Sequence, residues 1–374
     1  MFLIPHARRL LGALLLTAAV PAAHAAVPDK VLIVVSGEGR DQGKTRPGYE
    51  FDELSQAWLI FKANGLEVDV ASPQGGAVEP DNYNAQEPFN AALLADAQAM
   101  RALAATRSTR DVKSTDYAAI YVVGGKGAMF DLPRDTALAT LLADAYTRGA
   151  VIGAVCHGPA ALVDVTLADG RSLVAGKAMT GFTLEEETLF GKRWAKEFPW
   201  QLEDALRARG VRWQEAPLMM PKVVVDGRLV TGQNPYSTPG VADAIVRALG
   251  REPATRTPWR DELTMALATQ ARASDVRGVA EALARDKDRY HVDLLGLLGY
   301  YQAQAAERDE DVRHALALMQ LAMPYMAQPQ LKLGAAEAHL RLREHAQARA
   351  LVQQVLAGKP DMAEAKALLQ RIDG

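Results

Sequence analysis

The chain has 374 residues, of which 49% are hydrophobic, 23% charged and 6% aromatic, and its formal charge is −3. That composition excludes a disordered, collagen-like or disulfide-stapled polypeptide, and the lack of a basic excess excludes general nucleic-acid binding. The length is that of two domains, each large enough to bury a core without crosslinks.

At the N-terminus, Arg8 and Arg9 precede the apolar run Leu10 to Val20, then Pro21 and the small-x-small site Ala23, His24, Ala25. Residues 1–25 read as a cleaved signal peptide, because the run falls short of the about 20 apolar residues that span a bilayer core. The expectation is a periplasmic or secreted protein with no membrane attachment after cleavage. Exported chains usually pair their cysteines, yet this one has a single cysteine, Cys156. A lone thiol is either a buried small hydrophobe or a reactive group.

From Val31 onward, buried-strand patterns alternate with helical ones, as in a parallel sheet covered on both faces. Strands are expected at Val31 to Ser36, Leu66 to Ala71, Ala118 to Val123 and Ala150 to Val155, with helices at Phe51 to Asn64, Asn90 to Ala105 and Asp135 to Arg148. Lys222 to Val225 and Arg228 to Thr231 flank Asp226-Gly227 and read as a hairpin closing the sheet edge. A helix over Val241 to Leu249 completes a domain of residues 26–250, and the breakers and charges of residues 251–258 form a linker.

Residues 259–374 lose strand signals and read as an all-α domain. Leu298-Gly299 precedes one Ala/Leu-rich helix pair ending near Pro329, and Leu333-Gly334, 35 residues later, precedes another ending at Pro360. Ala336, His339, Ala348 and Pro360 resemble the signature positions of a tetratricopeptide repeat. Such a region is either a solenoid with a groove for a protein client or partner, or a cap or dimerisation element.

Chemistry concentrates at two strand ends. Ala150 to Val155 runs into Cys156-His157-Gly158-Pro159, the strand-to-helix turn of a nucleophile elbow, where a helix N-terminus would lower the thiol pKa. Ala118 to Val123 ends in Gly124-Gly125-Lys126-Gly127, whose glycines let backbone approach a ligand. Strand carboxyl ends share one crevice in an open α/β sheet, so the N–H groups of Gly125 and His157 can hold an oxyanion there.

These motifs, with Glu53-Leu54 ahead of Phe61 to Gly65 and with Leu229 to Pro235, resemble the DJ-1/PfpI superfamily and its Hsp31-like branch. The resemblance covers roughly Val31 to Leu249. It implies a flavodoxin-like three-layer sandwich with a mostly parallel sheet, of the class I glutamine amidotransferase type, here followed by the helical-repeat domain. It also implies an activity among those of the branch: glutathione-independent glyoxalase III (D-lactate dehydratase type, a lyase that detoxifies methylglyoxal), stress-response holdase chaperone, or deglycase. Carried over, Cys156 is the nucleophile, His157 its neighbouring histidine, and Glu53 the acid that contacts the thiol and shuttles a proton. Glu187 matches best the acid near the histidine, with Glu185 and Glu186 beside it. Family dimers imply a homodimer, unless the helical extension covers that interface.

Two departures bear on substrate. Lys126 stands in place of a frequent histidine and either selects an anionic substrate, with Gly124 beside it, or points to solvent; Gln56-Ala57 replaces a frequent His-Pro. His157 is the only histidine between Ala26 and Gly250. No separate histidine can therefore reach the thiol, which argues against amidotransfer, and the two-histidine zinc site of some relatives cannot be built, so neither metal nor cofactor is expected. Adjacency lets the side chains of Cys156 and His157 diverge at the elbow, leaving Glu53 and the helix dipole to activate sulfur. The expectation is an exported, cofactor-independent enzyme that converts methylglyoxal or a related carbonyl to a hydroxy acid. Its competitors are a holdase or interaction module working through the tail, and a redox-sensing thiol. Catalysis confined to the first domain predicts that deleting Asp261 to Gly374 leaves turnover intact.

Overall fold

The computed structural model describes residues 1–2 and 29–374; the signal-peptide pattern lies almost wholly in residues 3–28, outside the described residues. Strands β1 (Lys30–Val34), β2 (Glu67–Ser72), β3 (Arg107–Ser108), β4 (Ala119–Val122), β5 (Val151–Val155), β8 (Val223–Asp226) and β9 (Leu229–Gly232) form a seven-stranded sheet in the order β3-β2-β1-β4-β5-β9-β8. Every neighbouring pair is parallel except β8 and β9. Two further strands, β6 (Ala178–Met179) and β7 (Arg212–Trp213), pair separately. Apart from the half-buried Lys30 that opens β1, the four central strands are buried along their length, which is why they read as unbroken apolar runs rather than alternating ones.

The helices of this unit are α1 (Phe51–Ala63), α2 (Pro88–Ala95), α3 (Ala97–Ala104), α4 (Thr136–Arg148), α5 (Leu184–Phe190), α6 (Leu202–Ala208) and α7 (Thr238–Ala248). The single helix expected over Asn90 to Ala105 is instead two. Asp96 leaves the helical conformation (φ −81°, ψ 103°) and caps α3, its carboxylate accepting the N–H groups of Gln98 and Ala99 and the Trp58 Nε1–H. A capping aspartate competes with helix continuation despite the Ala/Leu-rich surroundings. The Asp226-Gly227 hairpin forms at the sheet edge as read, with Gly227 at φ 64°. Parallel register of β4 and β5, with Val122 opposite Ala154, sets the loops after Val123 and after Val155 side by side at the carboxyl edge.

Residues 251–259 carry neither helix nor strand, yet they are strapped to their surroundings. The Ala254 N–H donates to Asn64 Oδ1 at 2.7 Å, and Arg256 forks onto Glu262 with two 2.7 Å bonds while its guanidinium lies 4.5 Å from the Trp259 ring centre. The tail is helical throughout: α8 (Arg260–Arg272), α9 (Val276–Asp286), α10 (Val292–Ala305), α11 (Asp309–Ala322), α12 (Pro329–Arg341), α13 (His345–Gly358) and α14 (Ala363–Asp373). Among the described residues no helix is long and apolar enough to cross a membrane.

Gly299 and Gly334 do not precede their helices, as read from the sequence; they lie inside α10 and α12. A Cβ on Gly299 would sit 2.6 Å from the Ala315 carbonyl, and one on Gly334 would sit 2.6 Å from the Tyr300 ring. These glycines mark close helix crossings, which outweigh their low helix propensity. The tail's larger core contains one residue of the first domain, Met220, and Met219 and Tyr236 pack against it.

Candidate active site

Cys156 leaves β5 with φ 58°, a left-handed conformation that costs a non-glycine residue about 1–2 kcal/mol and is held by the packing around it. Gly158 permits the turn, because a Cβ there would lie 2.4 Å from the Val122 carbonyl oxygen. The chain then enters a five-residue 3-10 turn, Gly158–Leu162. The loop after β4 closes from the other side: a Cβ on Gly124 would meet Cys156 Cβ at 2.7 Å and Glu53 Oε2 at 2.8 Å, while Gly125 adopts φ 87° against the Glu50 backbone.

Glu53, in the first turn of α1, is fully buried and accepts the Gly124 N–H at 2.6 Å through Oε2. Its Oε1 is buried without a hydrogen-bond partner. Burial pushes this carboxyl well above the usual range, the neighbouring Glu50 carboxyl adds to the shift, and the Gly124 N–H and the Cys156 thiol oppose it. Burial also pushes the Cys156 thiol up, followed by the charge of Glu53, with the Gly125 N–H opposing. This reverses the expected lowering: the turn after the cysteine is too short to supply a substantial helix dipole, and the thiol is only 4% exposed. Two buried acids in such proximity cannot both ionise, so Glu53 and Cys156 together hold at most one negative charge.

Cys156 and His157 do not diverge. The left-handed turn at Cys156 brings Sγ within 3.4 Å of His157 Nδ1, and on the far side of the ring Nε2 lies 2.6 Å from Glu187 Oε2. Phe182 packs against the imidazole at 4.5 Å between ring centres. A cysteine, histidine and carboxylate are thus aligned with no separate histidine in the domain.

The three successive glutamates part company. Glu185 is exposed at the start of α5. Glu186 is buried and structural: it completes the capping box with Thr183 and accepts from the Met219 N–H, Gln233 Nε2 and Asn234 Nδ2. Glu187 turns to His157.

Cys156 and His157 border a cavity of about 250 Å³ whose lining also includes Glu50, Asp81, Lys126 and Tyr236, while Glu53 and Glu187 stand behind that lining. Lys126 belongs to this wall, and its charge acts on the carboxyls of Glu50 and Asp81. Glu50 stands at the N-cap position of α1 without capping it. Burial, reinforced by Asp52 and Asp81, raises its carboxyl to about 8. Sequence reasoning missed Glu50, Asp81 and Tyr236; an N-cap glutamate three residues before Glu53 was the one local signal available for Glu50. Among the described residues, no three or more His, Cys, Asp or Glu side chains are grouped as a metal site.

The model of the DJ-1/PfpI family matches residues 45–248, which hold the elbow, the glycine loop and both partner acids. The chain belongs to the DJ-1/PfpI family. It is similar to a glutathione-independent glyoxalase of Schizosaccharomyces pombe, 33% identical over 212 residues that cover 54% of this chain and 86% of that protein. A glutathione-independent glyoxalase of Saccharomyces cerevisiae is 31% identical over 59% of this chain and 98% of its own length. Among solved structures, glyoxalase III of Candida albicans superposes with a TM-score of 0.54 at 26% identity, covering 59% of this chain and 96% of that one. The 24 kDa rapid encystment protein of Francisella tularensis gives 0.55 at 30% identity, over 59% of this chain and 98% of that one. This family member is Hsp31-like and carries its all-helical extension beyond the end of the family match.

Proposed function

We propose that the protein is a glutathione-independent glyoxalase that converts methylglyoxal, or a close 2-oxoaldehyde, to D-lactate or the matching hydroxy acid. The observation that carries this reading is the convergence of the His157–Glu187 pair and the buried Glu53 carboxyl on the Cys156 thiol, which with His157 lines one small cavity. The sulfur of Cys156 bonds to the aldehyde carbon, and the aldehyde oxygen takes the proton held by Glu53, giving a hemithioacetal. Glu53, now ionised, takes the proton from that carbon and returns it to the neighbouring one, while His157 carries the hydroxyl proton from the first oxygen to the second. The product is a 2-hydroxy thioester. Water adds to it, the carbon–sulfur bond breaks, and the thiol is restored, so the net change is addition of one water with no external oxidant or reductant. The N–H groups of Gly125 and His157 serve the developing oxyanion, Glu187 holds the imidazole, and Lys126 lines the substrate site, whereas Gly124, expected beside it, lies behind the lining against Glu53 and Cys156.

Rapid quenching with mass spectrometry tests this reading. Glu53→Gln should accumulate one methylglyoxal on the Cys156 peptide, whereas an adduct confined to lysine and arginine would contradict it.

A second reading, a holdase or protein-interaction module, draws on the groove of about 750 Å³ between α10, α12 and α14. Suppression of client aggregation by Cys156→Ser would separate it from catalysis. Export follows from the Arg8-Arg9 and Leu10 to Val20 pattern, and N-terminal sequencing of the protein recovered from the producing cell would show whether the chain begins at Ala26.

A further inference from the structure

Phe190, Met219 and Tyr236 line part of the cavity, and each of the three leans on the helical tail. The Phe190 ring meets Tyr301 of α10 edge-on, 5.0 Å between centres at 80°, and Tyr300 braces Tyr301 at 5.5 Å. Met219 and Tyr236 pack against the tail's core, in which the adjoining Met220 is itself a member. Gln302, next to Tyr301, donates to the Leu218 carbonyl at 2.8 Å.

The loop carrying Met219 is therefore gripped twice. Its inner grip belongs to the first domain, through Glu186 on the Met219 N–H and Asn234 Nδ2 on the Met220 carbonyl. Its outer grip belongs to the tail. At a second point Gln56 of α1 donates to Asp261 of α8 at 2.9 Å, so the tail is tied to the helix that bears Glu53 as well as to the loop across the pocket. The family match ends at residue 248, and every tail residue named here lies beyond it.

We infer that the helical domain backs one wall of the substrate pocket, and that Tyr301, acting through Phe190, sets the size of aldehyde the pocket admits. The class admitted is small, free 2-oxoaldehydes with short side chains, and aromatic 2-oxoaldehydes are disfavoured. Tyr301 is a positioning residue: it supports the ring that borders the substrate. The inference rests on the glyoxalase reading for its substrate class and on packing alone for the wall.

The test compares kcat/KM for methylglyoxal and phenylglyoxal in the full chain and in Tyr301→Ala and Tyr301→Phe. Loss of the ring should raise the phenylglyoxal-to-methylglyoxal ratio about tenfold, the scale on which apolar pockets discriminate by size. Tyr301→Phe keeps the ring and should restore the wild-type ratio. A Tyr301→Ala ratio equal to wild type would overturn the inference. In parallel, the sole cysteine is alkylated with N-methylmaleimide and N-phenylmaleimide. A shift of that ratio in Tyr301→Ala without turnover of either aldehyde upholds the wall and removes the glyoxalase reading. Turnover with both ratios unmoved removes the wall and leaves the activity.

Discussion

Glu53 Oε2 accepts the Gly124 N–H at 2.6 Å, and the same glycine presses on Cys156 Cβ so closely that a methyl group there would fall within 2.7 Å of it. One backbone position thus sets the spacing between the acid and the nucleophile. Gly124→Ala should move Glu53 away from sulfur and lower D-lactate formation by about 10²-fold or more, the scale lost when a proton-transfer group is misplaced. Near wild-type turnover in the folded variant would show that the spacing is slack.

Adjacent glutamates give opposite outcomes. Glu187→Gln leaves the shape of the His157 contact and removes its charge, so kcat should fall by about 10²-fold or more with little change in Tm. Glu186→Gln breaks up a buried acceptor cluster and should cost about 1–3 kcal/mol in urea unfolding. The reverse pattern would exchange their roles.

Glu50 links pH to stability. Its carboxyl is raised to about 8 in the fold from an ordinary value of 4.5, so the folded state binds more protons than the unfolded one between those limits, and stability falls as pH rises through that window. Glu50→Gln cannot ionise. Thermal melts should therefore place the variant progressively above wild type from pH 4.5 to pH 8, and parallel Tm curves would refute the assignment.

Deletion of Asp261 to Gly374 should not leave catalysis untouched, as the sequence alone suggests. Met220, 7% exposed in the full chain, would lose its core, and the Leu218 carbonyl would lose Gln302. The truncated chain should melt lower and admit bulkier aldehydes than the full chain. Unchanged Tm and substrate preference would make the tail an independent appendage.

The parts of this molecule written in local pattern were legible. The four central strands, the elbow at Cys156 and the glycines after β4 each express a backbone or burial requirement within a few residues. Glu53 and Glu187 came through resemblance, because a glutamate on a helix carries no local mark of its partner. The contact of His157 with sulfur depends on the left-handed φ of Cys156, and the raised thiol depends on burial and on the shortness of the turn after it. Neither is encoded in spacing. Asp81, Met219, Tyr236 and Tyr301 meet only because distant segments pack together, which no periodicity announces.

The most direct measurement is stereospecific detection of D-lactate from methylglyoxal, without glutathione, by residues 26–374 beside folded Cys156→Ser and Glu53→Gln. The account predicts D-lactate from the wild type, none from Cys156→Ser, and a rate about 10²–10⁴-fold lower from Glu53→Gln. Wild-type output no greater than that of Cys156→Ser would contradict it.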